Sequence, residues 1–221
     1  MTDQEILSRV DHTLLKAAAS WGEIKTLCDE AVRYKTASVC IPPAYVRPVF
    51  AEYGGSGLVI CTVIGFPLGY SCTAAKAFET EAARRDGASE IDMVINIGDV
   101  KSGRFNTVLG EIYIVKNICE NKIVKIIVET CYLTEEEKIR LCGIVTEAGA
   151  DFIKTSTGFG TSGAAIADVE LFARHIGPNV KIKAAGGIKT REDMVAFIEA
   201  GASRLGTSSA VKILAKDTID K

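Results

Sequence analysis

EAGADFIKTSTG, residues 147–158, carries the pattern that decides the fold. An amphipathic stretch ends at Gly149, a short apolar run with Ile153 at its centre follows, and Gly158 begins a turn. Glycine just past a helical stretch supplies the left-handed conformation that ends helices, and a short β-branched apolar run suits a buried strand. The same unit, helix then AGA or DGA then strand, recurs as RDGASEIDMV at 85–94 and EAGASRLGT at 199–207.

Working outward, the candidate strands are SRVDHTLL (8–15), ASVCIP (37–42), LVICTVIGF (58–66), EIDMVIN (90–96), VKIIVETC (124–131), DFIKTST (151–157), VKIKAAGG (180–187) and RLGTSS (204–209). Stretches of helical period separate them. Ser20 before WGEIKTLCDEAVRY, Thr134 before EEEKIRLCGIVTEA with Glu137 in place for a capping box, and Thr190 before REDMVAFIEAGA mark helix starts. Strands alternating with helices predict a parallel sheet, and a count of about eight predicts a closed (β/α)₈ TIM barrel of the α/β class. No Pro/Gly-rich linker interrupts the chain, so residues 1–221 read as a single domain.

With 48% hydrophobic and 24% charged residues, the 221-residue chain can bury one large core. A net charge of −2, with charges interspersed, gives nucleic acid no basic footprint, so a small molecule is the expected partner. The longest apolar runs are roughly half the length of a membrane span, so no membrane association is expected. MTDQEILSRV lacks the apolar centre of a secretory signal, and a cytoplasmic protein is expected. Seven cysteines (Cys28, Cys40, Cys61, Cys72, Cys119, Cys131 and Cys142) form no CxxC pair and read as reduced core thiols. With only His12 and His175 available, no metal site is implied.

Side chains alternate along a strand, and a barrel wrapped by helices needs its outward set apolar, so polar residues of the other parity point inside. In EIDMVIN, Ile91, Met93 and Ile95 form the outward set and Asp92, Val94 and Asn96 the inward one. In DFIKTST, Lys154 falls inward with Phe152 and Ser156; in VKIKAAGG, Lys181, Lys183 and Ala185 do, with Lys181 near solvent at the strand's start. Lys154 and Lys183 lie near the C-terminal ends of neighbouring strands, where barrel enzymes keep their chemistry. Strands about 4.8 Å apart bring two such ammonium groups close. A neighbouring cation disfavours a second, which yields a neutral amine able to attack a carbonyl. Asp92 would offset the remaining charge and pass protons. The plainer reading, a buried ion cluster without chemistry, is disfavoured because such clusters add little net stability.

Barrels often bind phosphate with backbone N–H groups of the loops after the last two strands. Gly186 and Gly187 follow the seventh strand, Ser208 and Ser209 end the eighth and open SSAVKILAK, and Gly158 and Gly160 add a third glycine-rich turn. Taken singly, each turn could serve chain reversal alone.

DFIKTSTGFG, EIDMVINIG, CTVIGFPLG, VKIKAAGGIKT and GASRLGTSS together closely resemble the motif set of the deoxyribose-phosphate aldolases, over nearly the whole chain from VDHTLLK onward. The resemblance implies a class I aldolase without metal or cofactor. It would cleave 2-deoxy-D-ribose 5-phosphate reversibly to glyceraldehyde 3-phosphate and acetaldehyde in deoxyribonucleotide catabolism. Lys154 then matches the Schiff-base lysine, Lys183 the lysine that perturbs it and Asp92 the acid of the proton relay. Gly158, Gly186, Gly187, Ser208 and Ser209 resemble the phosphate site, and Asp11, Thr13 and Cys40 resemble residues lining the substrate pocket. A homodimer is implied as well. Three positions depart from the pattern. Phe159 stands where some members carry a phosphate-side lysine, Cys131 where a glycine commonly follows ET, and the chain ends in DTIDK without a terminal tyrosine. Rival readings are another Schiff-base aldolase of the same fold and a non-catalytic sugar-phosphate-binding barrel.

Overall fold

All eight apolar runs form strands in the computed structural model, which describes residues 1–215. They are β1 (Val10–Thr13), β2 (Ser38–Ile41), β3 (Ile60–Ile64), β4 (Glu90–Val94), β5 (Ile123–Ile127), β6 (Phe152–Lys154), β7 (Lys181–Ala185) and β8 (Arg204–Thr207). Every neighbour is parallel and the order is sequential. β8 returns to β1 through Val10↔Leu205 and Asp11↔Gly206, which closes the barrel. The chain end DTIDK lies outside the described residues.

The helices are α1 (Asp3–Leu7), α2 (Trp21–Tyr34), α3 (Val46–Tyr53), α4 (Thr73–Arg85), α5 (Ile97–Lys101), α6 (Phe105–Cys119), α7 (Glu135–Glu147), α8 (Ile166–His175), α9 (Arg191–Glu199) and α10 (Ala210–Leu214). Ser20, Thr134 and Thr190 cap α2, α7 and α9 through capping boxes completed by Glu23, Glu137 and Asp193. Reciprocal bonds of this kind satisfy backbone donors that the first helical turn leaves free. Gly87, Gly149 and Gly201, just past α4, α7 and α9, have φ of 112°, 69° and 118°.

The alternation rule separates two interiors. Ile91, Met93, Val124, Ile126, Ile153, Ile182, Ala184 and Leu205 belong to the apolar core formed with the helices. Residues of opposite parity fill the barrel, where the buried groups include Asp11, Glu90, Asp92, Lys125, Lys154 and Lys183. A small second apolar cluster of Cys40, Cys61 and Val63, with Leu15 and Phe66 packed on it, is distinct from the main core. Lys181, as expected at its strand's start, is exposed, its ammonium 5.9 Å from the centre of the Phe152 ring.

Candidate active site

Neighbouring registers bring the charges together: Asp92 pairs with Lys125, Ile127 with Lys154, Lys154 with Lys183 and Lys183 with Arg204. Asp92 sits at the hub. Its Oδ2 accepts from Lys154 Nζ at 2.6 Å and from Lys183 Nζ at 2.7 Å, and its Oδ1 accepts from Lys125 Nζ at 3.0 Å. Lys183 also donates to Asp11. Asp11 in turn accepts from Ser38 at 2.7 Å and Arg204 at 2.5 Å, and Glu90 pairs with Lys125 at 2.5 Å and Arg204 at 3.2 Å. Gly206 leaves room for this arrangement, since a Cβ there would come 2.9 Å from Ala185 Cβ and 3.1 Å from Lys183 Cε.

Burial by itself would raise the Asp11 and Asp92 carboxyls. Lys125 and Lys183, joined by Arg204 at Asp11 and Lys154 at Asp92, outweigh it and hold both well below the carboxylate range. Burial would likewise strip Lys125 and Lys183 of their protons. Asp11 and Asp92 reverse the effect and hold both above the ordinary lysine value. The carboxylates' contribution to stability is present above about pH 3.9 and lost as pH falls through their depressed values. That of the two lysines is present below about pH 10.4 and lost as pH rises through their raised ones.

Four cations (Lys125, Lys154, Lys183 and Arg204) face three carboxylates (Asp11, Glu90 and Asp92), leaving one positive charge in surplus within the cluster. Lys125 pairs with three of these carboxylates, and Lys183 and Arg204 with two each. Among the described residues Lys154 pairs with Asp92 alone, and it is the member of the cluster that lines the open pocket. Cys40, Cys61 and Asp92, and Asp11, Cys61 and Glu90, approach each other as metal ligands do. Lys125 Nζ stands among them, 3.3 Å from Cys61 Sγ, as the local cation.

Above the cluster opens a cavity of about 280 Å³. Thr13, Lys154, Gly158, Gly186, Gly187, Ser208 and Ser209 line it, as do Lys16 and Lys189, which the sequence reading passed over. Its bed is backbone from two loops: a Cβ on Gly186, after β7, would lie 3.1 Å from Gly163 Cα and 3.4 Å from Gly158 Cα, both in the loop after β6. Ser209 precedes α10, and its hydroxyl donates to Ile188 O at 3.1 Å instead of capping that helix. Phe159, 55% exposed, also lines the cavity, with its ring edge-to-face on Phe66 at 5.3 Å.

Two expectations about the pocket walls are corrected. Asp11, expected to line the pocket, is fully buried in the ion cluster below it, because its inward side chain is claimed by Lys183 and Arg204. Cys40, also expected there, is fully buried against the second apolar cluster, where its small side chain packs beside Cys61 on the adjacent strand. Lys125, Glu90 and Arg204 were missed although strand parity places each inward. Glu129 was missed for another reason. It adopts a left-handed conformation at φ 56°, which breaks the alternation.

Buried at 2% exposure, Glu129 accepts from Thr157 N at 3.2 Å and from the Thr157 hydroxyl, which itself accepts from Phe159 N at 3.0 Å. The carboxylate thus ties down the loop that follows Lys154. Glu129→Ala is expected to lower kcat/KM roughly 10-fold to 100-fold, matching the 1–3 kcal/mol of unsatisfied buried donors. KM should change more than kcat, and Glu129→Gln should restore most of the loss. Steady-state kinetics of both variants check this, and an unchanged KM in Glu129→Ala would refute it.

Residues 5–215 match the model of the DeoC/LacD family of aldolases. A deoxyribose-phosphate aldolase of Clostridium botulinum (strain Eklund 17B) is 60% identical over 214 residues, covering 97% of this chain and 96% of its own. One from Streptococcus pyogenes serotype M12 is 58% identical over 219 residues, covering 99% and 98%. Among solved structures, a putative deoxyribose-phosphate aldolase from Coccidioides immitis superposes with a TM-score of 0.95 at 38% identity, covering 99% of this chain and 87% of that one. The tetrameric deoxyribose phosphate aldolase of Aeropyrum pernix gives 0.89 at 32%, covering 98% and 92%. Motifs, closed barrel and near full-length identity agree: the chain belongs to the DeoC/LacD family of aldolases.

Proposed function

We propose that this chain is a Schiff-base aldolase that reversibly cleaves 2-deoxy-D-ribose 5-phosphate to glyceraldehyde 3-phosphate and acetaldehyde. The observation that carries the reading is Lys154 Nζ at the floor of an open pocket, 2.6 Å from a carboxylate oxygen that Lys183 also holds at 2.7 Å. With Lys154 as the neutral amine, three cations face three carboxylates and the buried cluster balances.

In cleavage, Lys154 Nζ attacks the aldehyde carbon C1 of the open-chain sugar, and the carbinolamine loses water to give an iminium. The C3 hydroxyl then gives up its proton to the Asp92 and Lys183 pair, directly or through water, and its oxygen becomes the carbonyl of glyceraldehyde 3-phosphate. The C2–C3 bond breaks, its electron pair forming the enamine and neutralising the iminium nitrogen. Protonation at C2 and hydrolysis release acetaldehyde and free Lys154. Gly158, Gly186, Gly187 and Ser208 present backbone N–H groups to the phosphate, Ser209 stands beside them, and Lys16 and Lys189 add charge at the mouth. Thr13 borders the sugar, and Asp11 acts from below by holding Lys183.

As a working assembly we propose a homodimer; the relative from Aeropyrum pernix is described as tetrameric. A cytoplasmic location accords with the reduced cysteines, and among the described residues no helix is long and apolar enough to cross a membrane. Borohydride reduction in the presence of acetaldehyde should add a two-carbon alkyl group to Lys154, read by peptide mass mapping. An unmodified Lys154 in a protein that cleaves the sugar phosphate would refute the mechanism.

A further inference from the structure

The turn that CTVIGFPLG makes after β3 takes no part in the chemistry above, yet it closes around a charged side chain with no exposure at all. That side chain is Lys76, on α4. Its Nζ donates to Val94 O at 2.8 Å and to Glu111 of α6 at 2.7 Å, and Glu111 is itself buried. The Lys76 stem runs beneath Gly65, where a Cβ would come 2.7 Å from Lys76 Cε. One turn further along α4, Glu79 accepts from the Gly65 N–H at 2.8 Å. Gly69, at φ 72°, meets the end of β4 as closely, since a Cβ on it would collide with Ile95 O. Thus α4 grips the ends of β3 and β4 together.

Burial pushes the Lys76 ammonium down and the Glu111 carboxyl up, and the attraction between them reverses neither shift. A pair held against its own desolvation contributes little net stability, so what matters is where it stands. The last β3–β4 pair is Ile64↔Met93, and Val94 O lies just past it. Val94 shares the inward parity of Asp92, two residues earlier on the same short strand. Asp92 Oδ2 already accepts from Lys154 at 2.6 Å and Lys183 at 2.7 Å, so any shift of β4 alters both contacts at once.

Resting on the aldolase reading, we infer that Lys76 is a positioning residue for carbon–carbon cleavage: through Val94 O it fixes the end of β4, and with it the Asp92 carboxylate that receives the C3 hydroxyl proton together with Lys183. It acts from the helix layer and touches no substrate. The cavity that would hold the phosphate is lined from β1, β6, β7, β8 and their loops. Loss of the Lys76 donor should therefore appear in the chemical step and not in substrate binding.

Lys76→Met alone would leave Glu111 buried without its cation, so the decisive variant is the full chain carrying Lys76→Met and Glu111→Leu together. This removes both charges and keeps the stem beneath Gly65. Its urea midpoint should equal or exceed that of wild type, as when a buried ion pair is replaced by apolar side chains. Its kcat for cleavage of 2-deoxy-D-ribose 5-phosphate should fall about 10-fold to 100-fold with KM nearly unchanged, the scale of displacing a reacting group by up to about an ångström. Glu111→Gln keeps a Lys76 N–H on Val94 O, charged or neutral, and should keep kcat near that of wild type. A wild-type kcat in the folded double variant would overturn the inference and leave the aldolase reading intact. So would a loss in Glu111→Gln as large as in the double variant, or a KM that rises as far as kcat falls. A double variant too unstable to assay would make Lys76 a residue of the fold alone and overturn the inference too. Absence of both cleavage and borohydride trapping in the wild-type protein would overturn the aldolase reading, and the role of Lys76 with it.

Discussion

Lys154→Met is expected to lower turnover by about 10⁴-fold or more, since the covalent route is removed as a whole, and to do so without loss of stability. Methionine matches the unbranched stem of the lysine as far as Cε and lacks only the ammonium group. Three cations then face three carboxylates, and Asp92 keeps Lys125 and Lys183 as donors at 3.0 Å and 2.7 Å. Removing a surplus buried charge relieves the fold of a cost that only function explains, so the urea midpoint should be equal to or above that of wild type. A coupled assay for glyceraldehyde 3-phosphate and equilibrium unfolding check both halves. Activity within tenfold of wild type would show that another amine carries the chemistry. A collapsed fold would show that Lys154 is structural.

Lys183→Leu should cost about 10²-fold to 10³-fold in kcat/KM, the range for losing a positioned proton-transfer group, although Lys154 itself is untouched. Wild-type Lys183 is held charged by Asp11 and Asp92, and its presence makes the cluster's positive charge exceed its negative charge by one. Without it the C3 hydroxyl loses the cation that helps take its proton, while Asp92 keeps Lys154 and Lys125 as donors. The fold should survive. Asp11 retains Ser38 at 2.7 Å and Arg204 at 2.5 Å, and the cost of about 3 kcal/mol for breaking a buried pair lies within the usual 5–15 kcal/mol of a folded domain. Imine trapping in this variant should be slow, not absent. Turnover equal to wild type would mean that Lys154 is made reactive by burial alone.

The barrel was readable because its punctuation is local. A glycine after each of three helices, three N-cap residues and eight short apolar runs report on residues a few positions away, and all appear where expected. Parity along β4, β6 and β7 was enough to place Asp92, Lys154 and Lys183 inside. The same parity places Glu90, Lys125 and Arg204 inside. Nothing within a single strand marks these three as members of the cluster, because the partners that define the place of each, among Asp11, Asp92, Glu90, Lys125 and Arg204, lie on other strands. Glu129 lay beyond such a rule, since parity fails where the backbone turns left-handed.

The amino-acid sequence by itself determined the barrel, the inward trio and the glycine turns, because side-chain alternation and helix termination are short-range properties of a chain. Only the tertiary structure decided the remainder. Closing β8 onto β1 brings Arg204 to Asp11 across 193 positions, takes Asp11 out of the pocket wall and into the ion cluster, and sets four cations against three carboxylates. That balance depends on distances between residues remote in the chain, which is why Lys154 could be recognised as inward from its strand, but its place as the least-paired cation only from the closed barrel.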